Sequence, residues 1–386
     1  MPEGAGKFDQ ERARIPPAPL IDRRQFLQGA VLAAGGLGSL AMGKKGHRIP
    51  AHAKHHPKPA PAVVDRVLDS GVIVPTARWV VEENAKAGTN NWVVTGVQTP
   101  HAIEGFASQV SAIAGDDVEL FVNTSAQSFH VEAYRMGYYQ GLAGRLIETS
   151  DTVAGAQQGA PTVTPVVNTV SCPWNPSLTL RVTSAWPPGN YLLKLVGSGS
   201  EQQYIPLTVR DDTSRAAYVV QNSVTTWQAY NLWGSYSLYY GTEGTGQDFA
   251  NRARIVSFDR PYPQTWAQGA ADFFGNEFPL IYNMERLGLD VTYWTDVDLH
   301  ARPNLLSNHK ALFSLGHDEY WSLEMRQGAQ KALDKGTNLA FLGANACYRQ
   351  IRLDSSAVGA NRLQTCYKSA AEDPLSRSQP SLTTVN

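Results

Sequence analysis

The sequence predicts an antiparallel β-sandwich over residues 75–212, followed by an α/β domain with a parallel sheet over residues 213–386. Three observations support this fold class. The 33 Gly and 23 Pro residues indicate many turns. Short runs that alternate apolar and polar residues fill the first range, whereas strand-like runs alternate with helical patterns in the second. The length of 386 residues suits two domains and a terminal extension, at roughly 100–200 residues per domain.

The composition excludes several classes of protein. With 42% hydrophobic and 17% charged residues, the chain is too apolar to be disordered. Its net charge of −1 does not favour nucleic acid as a partner. Three cysteines, an odd number, do not make a dense disulfide framework. Beyond residue 50 there is no apolar run of the about 18 residues that a membrane span needs.

The first residues resemble an export signal. Arg23 and Arg24 precede an apolar stretch at residues 29–42, and Ala51-His52-Ala53 has the pattern of a cleavage site. This order resembles a bacterial twin-arginine signal. We therefore expect residues 1–53 to be removed and the protein to be periplasmic, extracellular or on the cell surface, the alternative being an amphipathic N-terminal helix on a cytosolic protein. The Pro-rich residues 54–74 are predicted to be a linker.

Alternating patterns predict the strands of the first domain. In residues 118–122 the apolar side chains fall on one face, and residues 178–183 alternate without a break. Residues 191–196 and 204–210 continue the pattern, and a Pro-Pro-Gly-Asn turn at residues 187–190 precedes them. No long helix is indicated in this range, so the pattern is typical of an antiparallel sandwich.

In the second domain, strands and helices alternate. One helix is indicated by apolar residues at Leu280, Met284 and Leu287, and another is expected to begin at Ser322 and end at Gly336. This order is typical of βαβ units with a parallel sheet. The strand-like runs are residues 216–221, 254–259, 291–296, 310–316 and 338–343.

Polar residues follow each of these five runs. In an open parallel sheet, ligands bind beyond the carboxyl ends of the strands, so these side chains are expected to meet at one edge. Single members also have plainer interpretations: Asp318 and Glu319 as helix-capping residues, the tyrosines as core residues and Asn345 as a turn residue. The residues that follow the runs are Tyr230, Tyr262, Asp296, Asp298, His300, His317, Asp318, Glu319 and Asn345.

Other chemistries have little support in the sequence. Cys347 follows a strand but has no evident base, and no Gly-x-Ser-x-Gly elbow is present. His-Glu-x-x-His and paired Cys-x-x-Cys zinc patterns are absent from the sequence. No Gly-x-Gly-x-x-Gly stands at a strand-to-helix turn, which disfavours dinucleotide binding.

Several motifs together resemble the N,N-dimethylformamidase large (beta) subunit family over roughly residues 75–370. The resemblance implies an Ig-like β-sandwich followed by a three-layer, glutamine-amidotransferase-like α/β domain. It also implies a mononuclear ferric ion held by two tyrosinates and a glutamate, and hydrolysis of a small tertiary amide. The motifs are Arg135-Met136-Gly137-Tyr138-Tyr139, Trp186-Pro187-Pro188-Gly189-Asn190-Tyr191, Trp227-Gln228-Ala229-Tyr230-Asn231, Ser257-Phe258-Asp259-Arg260-Pro261-Tyr262 and Leu315-Gly316-His317-Asp318-Glu319-Tyr320-Trp321.

Carried over by motif, the resemblance assigns metal ligands to this chain. The glutamate is Glu319, and the tyrosines chosen are Tyr230 and Tyr262. Tyr239 and Tyr240 lie between those two in sequence and stay open as alternatives. Anionic oxygen ligands suit a hard, highly charged ion such as Fe³⁺.

The same resemblance assigns the catalytic residues. His317 and Asn345 correspond to active-site neighbours of Glu319, and His317 is expected to pass a proton to the leaving amine. The predicted function is an exported, iron-dependent hydrolase that cleaves the C–N bond of a small amide by metal-activated water. A homo-oligomer or a small partner subunit is expected for such an enzyme. The strand-like residues 381–386 at the C-terminus lead us to expect an α/β domain that is cut short.

A second hypothesis comes from a different class of protein. The chain would then be a non-catalytic cell-surface module that binds carbohydrate or protein. Its ligand would stack on an aromatic surface formed by Trp227, Trp233, Tyr236 and Tyr239. Iron content separates the two hypotheses.

Overall fold

The structure is a computed structural model that describes residues 63–67, 71–96, 99–241 and 248–385. These residues belong to one compact unit, Pro50–Asn386. The predicted export signal and the first part of the predicted linker lie outside the described residues. Within the described residues, no helix has the length and apolar character needed to cross a membrane.

The N-terminal half of the described chain consists mainly of strands. Helix α1, Arg78–Asn84, is short and follows β2 directly. The β1–β2 pair is antiparallel and includes residues 63–67, within the range predicted to be a linker. The strands are β1 Val63–Val67, β2 Ile73–Ala77, β3 Ile103–Ala107, β4 Ser111–Ala112, β5 Asp117–Thr124, β6 Ser128–Met136, β7 Gly144–Thr149, β8 Val153–Ala154, β9 Thr162–Thr164, β10 Thr169–Ser171, β11 Leu178–Arg181, β12 Gly189–Gly197 and β13 Gln202–Val209.

Two of the sheets in this half enclose a shared apolar core. One has the strand order β11-β5-β3, and the other has the order β4-β13-β12-β6-β7, with β8 also paired to β6. Val118, Leu120 and Val122 of β5 point into the core, as their alternation predicts, and meet Leu193 and Leu195 of β12. Almost all pairings in these two sheets are antiparallel, the exception being β4 with β13.

The C-terminal half alternates strands and helices around a parallel sheet. The order of this sheet is β16-β14-β17-β19, and each of its pairings is parallel. Four of the five predicted strand-like runs form it. The elements are β14 Tyr218–Asn222, α2 Val224–Tyr230, β15 Ile255–Ser257, α3 Phe278–Arg286, β16 Val291–Thr295, α4 Asp296–Ala301, β17 Ala311–Gly316, β18 Tyr320–Ser322, α5 Leu323–Asp334, β19 Asn338–Gly343, β20 Arg349–Asp354 and β21 Leu363–Thr365.

The fifth run, residues 254–259, belongs to another sheet. It forms β15, which pairs antiparallel with β21 in a sheet of order β15-β21-β20-β18. Both edges of β14 are already occupied, by β16 and β17, so β15 has no place beside it. The expectation that this run joins the parallel sheet is wrong, and so is the expectation that every residue following a run lies at one sheet edge.

The two predicted helices are confirmed. α3 ends before Gly288, whose φ of +69° favours glycine. Ser322 caps α5, because its hydroxyl accepts a hydrogen bond of 3.2 Å from the backbone N–H of Met325. Gly336, with a φ of +96°, follows the last turn of α5.

A buried ion pair joins the two halves of the chain. Arg135 of β6 and Glu285 of α3 have no exposed side-chain surface and form two hydrogen bonds of 2.5 and 2.9 Å. Glu285 also accepts from Asn84 Nδ2 at 2.9 Å and from Tyr293. The Arg135 motif therefore packs the strands against α3 instead of forming part of a ligand site.

The last described residues do not form the predicted strand. Pro380–Leu382 is a 3₁₀ helix, and residues 383–385 are irregular. Thr384 donates from both its backbone N–H and its hydroxyl to Asp373 Oδ2, each at 2.8 Å. Asp373 is buried and pairs with Arg352 at 2.8 Å, and its hydrogen bonds lower its pKa to about 2 against the effect of burial.

Candidate active site

Glu319 is the centre of a cluster of polar side chains at the end of β17. It lies between β17 and β18 and is only 2% exposed. Its backbone N–H donates to the Thr226 hydroxyl at 3.0 Å, which ties this turn to α2. Tyr230 is the last residue of α2, so the same helix brings its phenol ring to the carboxylate. His317 follows β17 directly, and Gly316 before it has a φ of +63°.

Two tyrosine hydroxyls meet the Glu319 carboxylate. Tyr230 OH lies 3.0 Å from Glu319 Oε2, and Tyr239 OH lies 3.0 Å from both carboxylate oxygens. The two hydroxyls are 2.9 Å apart, and the rings stack with their centroids 4.4 Å apart. One carboxylate and two phenols therefore converge on a single point.

His317 and Asn345 lie at the open side of this cluster. His317 Nε2 is 3.2 Å from Glu319 Oε2 and 3.0 Å from Asn345 Nδ2. The His317 side chain is 29% exposed, whereas that of Glu319 is 3% exposed. His317 thus lies between solvent and the carboxylate, and Asn345 at the end of β19 orients its ring.

The structure does not bring Tyr262 to Glu319. Tyr262 follows β15, which belongs to the other sheet, and its ring packs edge-on against Trp227 and Trp266. None of the hydrogen bonds found among the described residues joins its hydroxyl to Glu319. Of the two open alternatives, Tyr239 takes the position beside the carboxylate. Tyr240 borders the pocket in front of the cluster.

Three further residues surround Tyr239 and Glu319 that sequence reasoning did not identify. Tyr320 OH lies 2.6 Å from Tyr239 OH, and Lys368 Nζ is 3.1 Å from the centroid of the Tyr239 ring. Arg349 Nε is 3.7 Å from Glu319 Oε1. Of the three, only Tyr320 could have been found from the sequence, because it immediately follows Glu319. Lys368 and Arg349 come from distant segments and carry no local motif.

Burial has a strong effect on the ionisation of these groups. It raises the pKa of Tyr230 well above its usual range, and the hydrogen bond to Tyr239 and the Glu319 charge act in the same direction. Burial also raises the pKa of Tyr239 to about 12 and lowers the pKa of Lys368 to about 7. In the absence of a strong positive charge at the cluster, both phenols are therefore protonated at neutral pH.

Three buried acidic residues, Asp318, Glu277 and Asp296, lie behind the Glu319 cluster in the protein interior. Asp318 accepts hydrogen bonds from Gln221 Nε2 at 2.8 Å and Trp321 Nε1 at 2.7 Å. Burial raises its pKa to about 6 and that of Glu277 to about 8, and it raises the pKa of Asp296 well above its usual range. These acids point into the protein and hold backbone and side-chain donors, so we assign them a positioning role.

A pocket of about 380 Å³ opens in front of His317 and Tyr230. Its walls are largely aromatic and apolar, with Trp227, Leu232 and Trp266, and one carboxylate, Asp272, lies at its border. A few polar groups at the end of an apolar pocket are typical of a small-molecule site.

The aromatic surface proposed for a binding module is not formed. Trp227 is 3% exposed and donates from Nε1 to Glu277 at 3.1 Å. Trp233 is 6% exposed and donates from Nε1 to Glu104 at 2.7 Å. Because both indoles are buried and hydrogen-bonded, they offer no face on which a sugar could stack.

The cluster has the oxygen ligands that a hard metal ion prefers. Glu319, Tyr230 and Tyr239 place three oxygens within 3.0 Å of one another, and His317 lies beside them. Across the described part of the chain, no group of three or more His, Cys, Asp or Glu side chains could hold a metal ion. A metal at this site would therefore depend on the phenols, and such a ligand set fits a ferric ion.

Gly316 at the end of β17 packs closely against Gly343 at the end of β19. A Cβ at Gly343 would lie 1.4 Å from the carbonyl oxygen of Gly316. We expect Gly343→Ala to push these strand ends apart beside His317 and to lower the free energy of unfolding by roughly 1–3 kcal/mol. Thermal unfolding measures this effect. Gly159→Ala is the control, because no atom lies within 4 Å of its added Cβ, and equal melting temperatures for the two variants would contradict the prediction.

Comparisons with known proteins give one family and distant similarities to solved structures. The chain resembles a Paenibacillus sp. cycloisomaltooligosaccharide glucanotransferase complexed with cycloisomaltoheptaose at 11% identity, covering 33% of this chain and 18% of that one, with a TM-score of 0.19. It resembles murine CEACAM1b at 16% identity, covering 31% of this chain and 62% of that one, with a TM-score of 0.16. Similarities this weak carry no argument about fold or function. No curated protein matches the chain.

The family model described as "N,N-dimethylformamidase beta subunit-like, C-terminal" matches residues 130–385. This range includes part of the strand-rich half, the whole parallel sheet and the Glu319 cluster. On that match, the chain belongs to the N,N-dimethylformamidase beta subunit-like family.

Proposed function

We propose that this chain is an iron-dependent hydrolase that cleaves the C–N bond of a small amide. The observation that carries the proposal is the convergence of Tyr230 OH and Tyr239 OH on the Glu319 carboxylate at 3.0 Å. Membership of the dimethylformamidase-like family supports a hydrolase.

Iron would be held by Glu319, Tyr230 and Tyr239. When bound, a ferric ion would supply Lewis acidity to an amide carbonyl oxygen. Its charge would also favour the ionised forms of the two phenols, which burial alone keeps protonated.

The other groups of the site bind the substrate and move a proton. The apolar walls at Leu232 and Trp266 would accept the alkyl groups of a small substituted amide and exclude water from them. His317 lines the same pocket, so its imidazole can take a proton from the water that attacks the carbonyl carbon and pass it to the leaving nitrogen. Asn345, 3.0 Å from His317 Nε2, holds that ring in place.

The identity of the second tyrosine is testable by visible spectroscopy. Tyrosinate bound to ferric iron absorbs visible light by charge transfer. We expect Tyr239→Phe to shift or bleach the band of iron-loaded protein and Tyr262→Phe to leave it unchanged, because Tyr239 contacts Glu319 and no hydrogen bond among the described residues joins Tyr262 to it. The variants are matched, since each loses one phenolic oxygen. A band that responds to Tyr262→Phe instead would restore the assignment made from sequence.

Export is part of the proposal and has its own test. If the twin-arginine system reads Arg23 and Arg24, replacing both with lysine keeps the charge but removes the signal. We expect unprocessed precursor to accumulate inside the cell, as detected by immunoblotting of cell fractions. Lys44→Arg with Lys45→Arg is the charge-conserving control, and normal secretion of the Arg23→Lys, Arg24→Lys variant would contradict the assignment.

The finer fold and the assembly also belong to the proposal. We propose an Ig-like sandwich for residues 75–212 and a three-layer, amidotransferase-like domain for residues 213–386. The two sheets around one core and the four parallel strands support these assignments. The family description names a beta subunit, which favours a small partner subunit or a homo-oligomer.

A further inference from the structure

A second, smaller cavity lies between the strand-rich half and the α/β half, apart from the Glu319 cluster. Its volume is about 40 Å³, which is room for a few water-sized particles at roughly 10–15 Å³ each. Most of its wall is apolar, formed by side chains such as Ile205, Leu207, Val224, Phe258 and Phe273. A sugar, nucleotide or peptide is too large for this volume.

Three polar atoms without hydrogen-bond partners belong to residues that line this cavity. They are Arg260 Nε, Gln109 Nε2 and Asn190 Oδ1, and all three are buried. A buried donor or acceptor without a partner destabilises the folded protein, because it has lost its hydrogen bonds to water. Two donors and one acceptor on residues that line one cavity are therefore available to a small polar occupant.

The charge of the cavity wall favours an anion. Arg260 is 1% exposed, and its terminal nitrogens donate to the carbonyl oxygens of Trp233 at 2.9 Å, Tyr236 at 2.7 Å and Asn231 at 3.1 Å. Among the described residues, no carboxylate forms an ion pair with it within 4.0 Å. Burial lowers the pKa of Arg260 to about 10, so the group is still charged at neutral pH.

A second arginine on the wall does not change this balance. Arg362 is 3% exposed and pairs with Asp259 at 2.8 Å, so that carboxylate is already engaged. Of these two buried guanidinium groups, Arg362 has a carboxylate partner, and Arg260 has none within 4.0 Å among the described residues. A buried charge without a counter-charge is costly, and an anion at Arg260 would remove the cost.

We propose that this cavity binds a small monovalent anion, of the size and charge of a halide, at Arg260 Nε and Gln109 Nε2. An accompanying water donates to Asn190 Oδ1 and to the anion. The three carbonyls that Arg260 holds belong to the segment between α2 and Tyr239. The anion therefore stabilises the loop that carries Tyr239 to the candidate active site.

Thermal unfolding in chloride and in gluconate at equal ionic strength tests the proposal on the full chain. Gluconate is too large for the cavity, so only chloride is expected to stabilise the protein. Above the dissociation constant, the melting temperature should rise by about 2 °C for each tenfold increase in chloride. Crystals grown with bromide should show an anomalous peak beside Arg260.

Two variants and a control make the test specific. Arg260→Met should abolish the chloride dependence, and Gln109→Leu should shift it to concentrations about tenfold higher, one hydrogen bond to a charged group being worth roughly that factor. Arg181→Met, at a side chain that is 58% exposed, should leave it unchanged. If Arg260→Met does not fold, Gln109→Leu and the bromide peak decide. Equal melting temperatures in the two salts, with water alone in the cavity, would overturn the proposal.

Discussion

Glu319→Ala is expected to lose bound iron, visible absorbance and amide hydrolysis together. Its carboxylate contacts Tyr230, Tyr239 and His317 at once. Removing a residue that only hydrogen-bonds to a metal ligand lowers metal affinity or activity by about 10–100-fold. Removing a ligand itself should lower them further. Elemental analysis, a visible spectrum and an assay with a small tertiary amide measure the three losses.

His317→Ala is the informative companion to that variant. Because His317 is proposed to move a proton and not to hold iron, the variant should keep the metal and the visible band. Its turnover should fall by about 10²–10⁴-fold, as for a lost acid–base group. Glu319→Gln keeps the size of the side chain, so it serves as the test variant if Glu319→Ala does not fold. An iron-free wild-type chain that iron cannot reconstitute, or full activity in Glu319→Gln, would refute the proposed function.

The second large effect is on stability, at Arg135. Arg135→Met should lower the free energy of unfolding by about 3–5 kcal/mol, because it leaves the Glu285 carboxylate buried without its cation. Pro188 O also loses its two hydrogen bonds from Arg135, of 2.9 and 3.1 Å. Urea denaturation, followed by tryptophan fluorescence, measures the change.

A double variant separates the charge effect from lost packing. Arg135→Met combined with Glu285→Leu removes both charges, so it should be more stable than Arg135→Met alone. The exposed pair Arg181 and Asp117 is the matched control, and Arg181→Met should cost less than about 1 kcal/mol. If Arg135→Met and Arg181→Met destabilise the protein equally, the buried pair does not hold the two halves together.

Local patterns in the sequence were sufficient for the strands that alternate clearly and for the two longest helices. The alternation in residues 118–122 predicted β5, and Ser322 predicted the start of α5 through a hydroxyl that caps the helix. Such features depend on residues a few positions apart. The strand-like reading of residues 381–386 was wrong because Thr384 is held by the side chain of Asp373 instead of by a neighbouring strand.

For the candidate site, the sequence determined the turn that carries His317 and Glu319, because both follow one strand within three residues. It did not determine the second tyrosine. Tyr262 was chosen on the premise that residues 254–259 join the parallel sheet. These residues instead form β15, which pairs with β21, a strand far along the chain, so that Ile255 lies opposite Thr365.

By itself, then, the sequence determined the two longest helices, the strands with clear alternation, the four parallel strands of the central sheet and the turn that carries Glu319. Only the tertiary structure decided that Tyr239 meets Glu319, that Lys368 lies over its ring, and that Trp227 and Trp233 are buried. The physical reason is the range of the interactions. Helix caps and alternation act between near neighbours, whereas strand order and side-chain convergence depend on hydrogen bonds and packing between residues far apart in sequence.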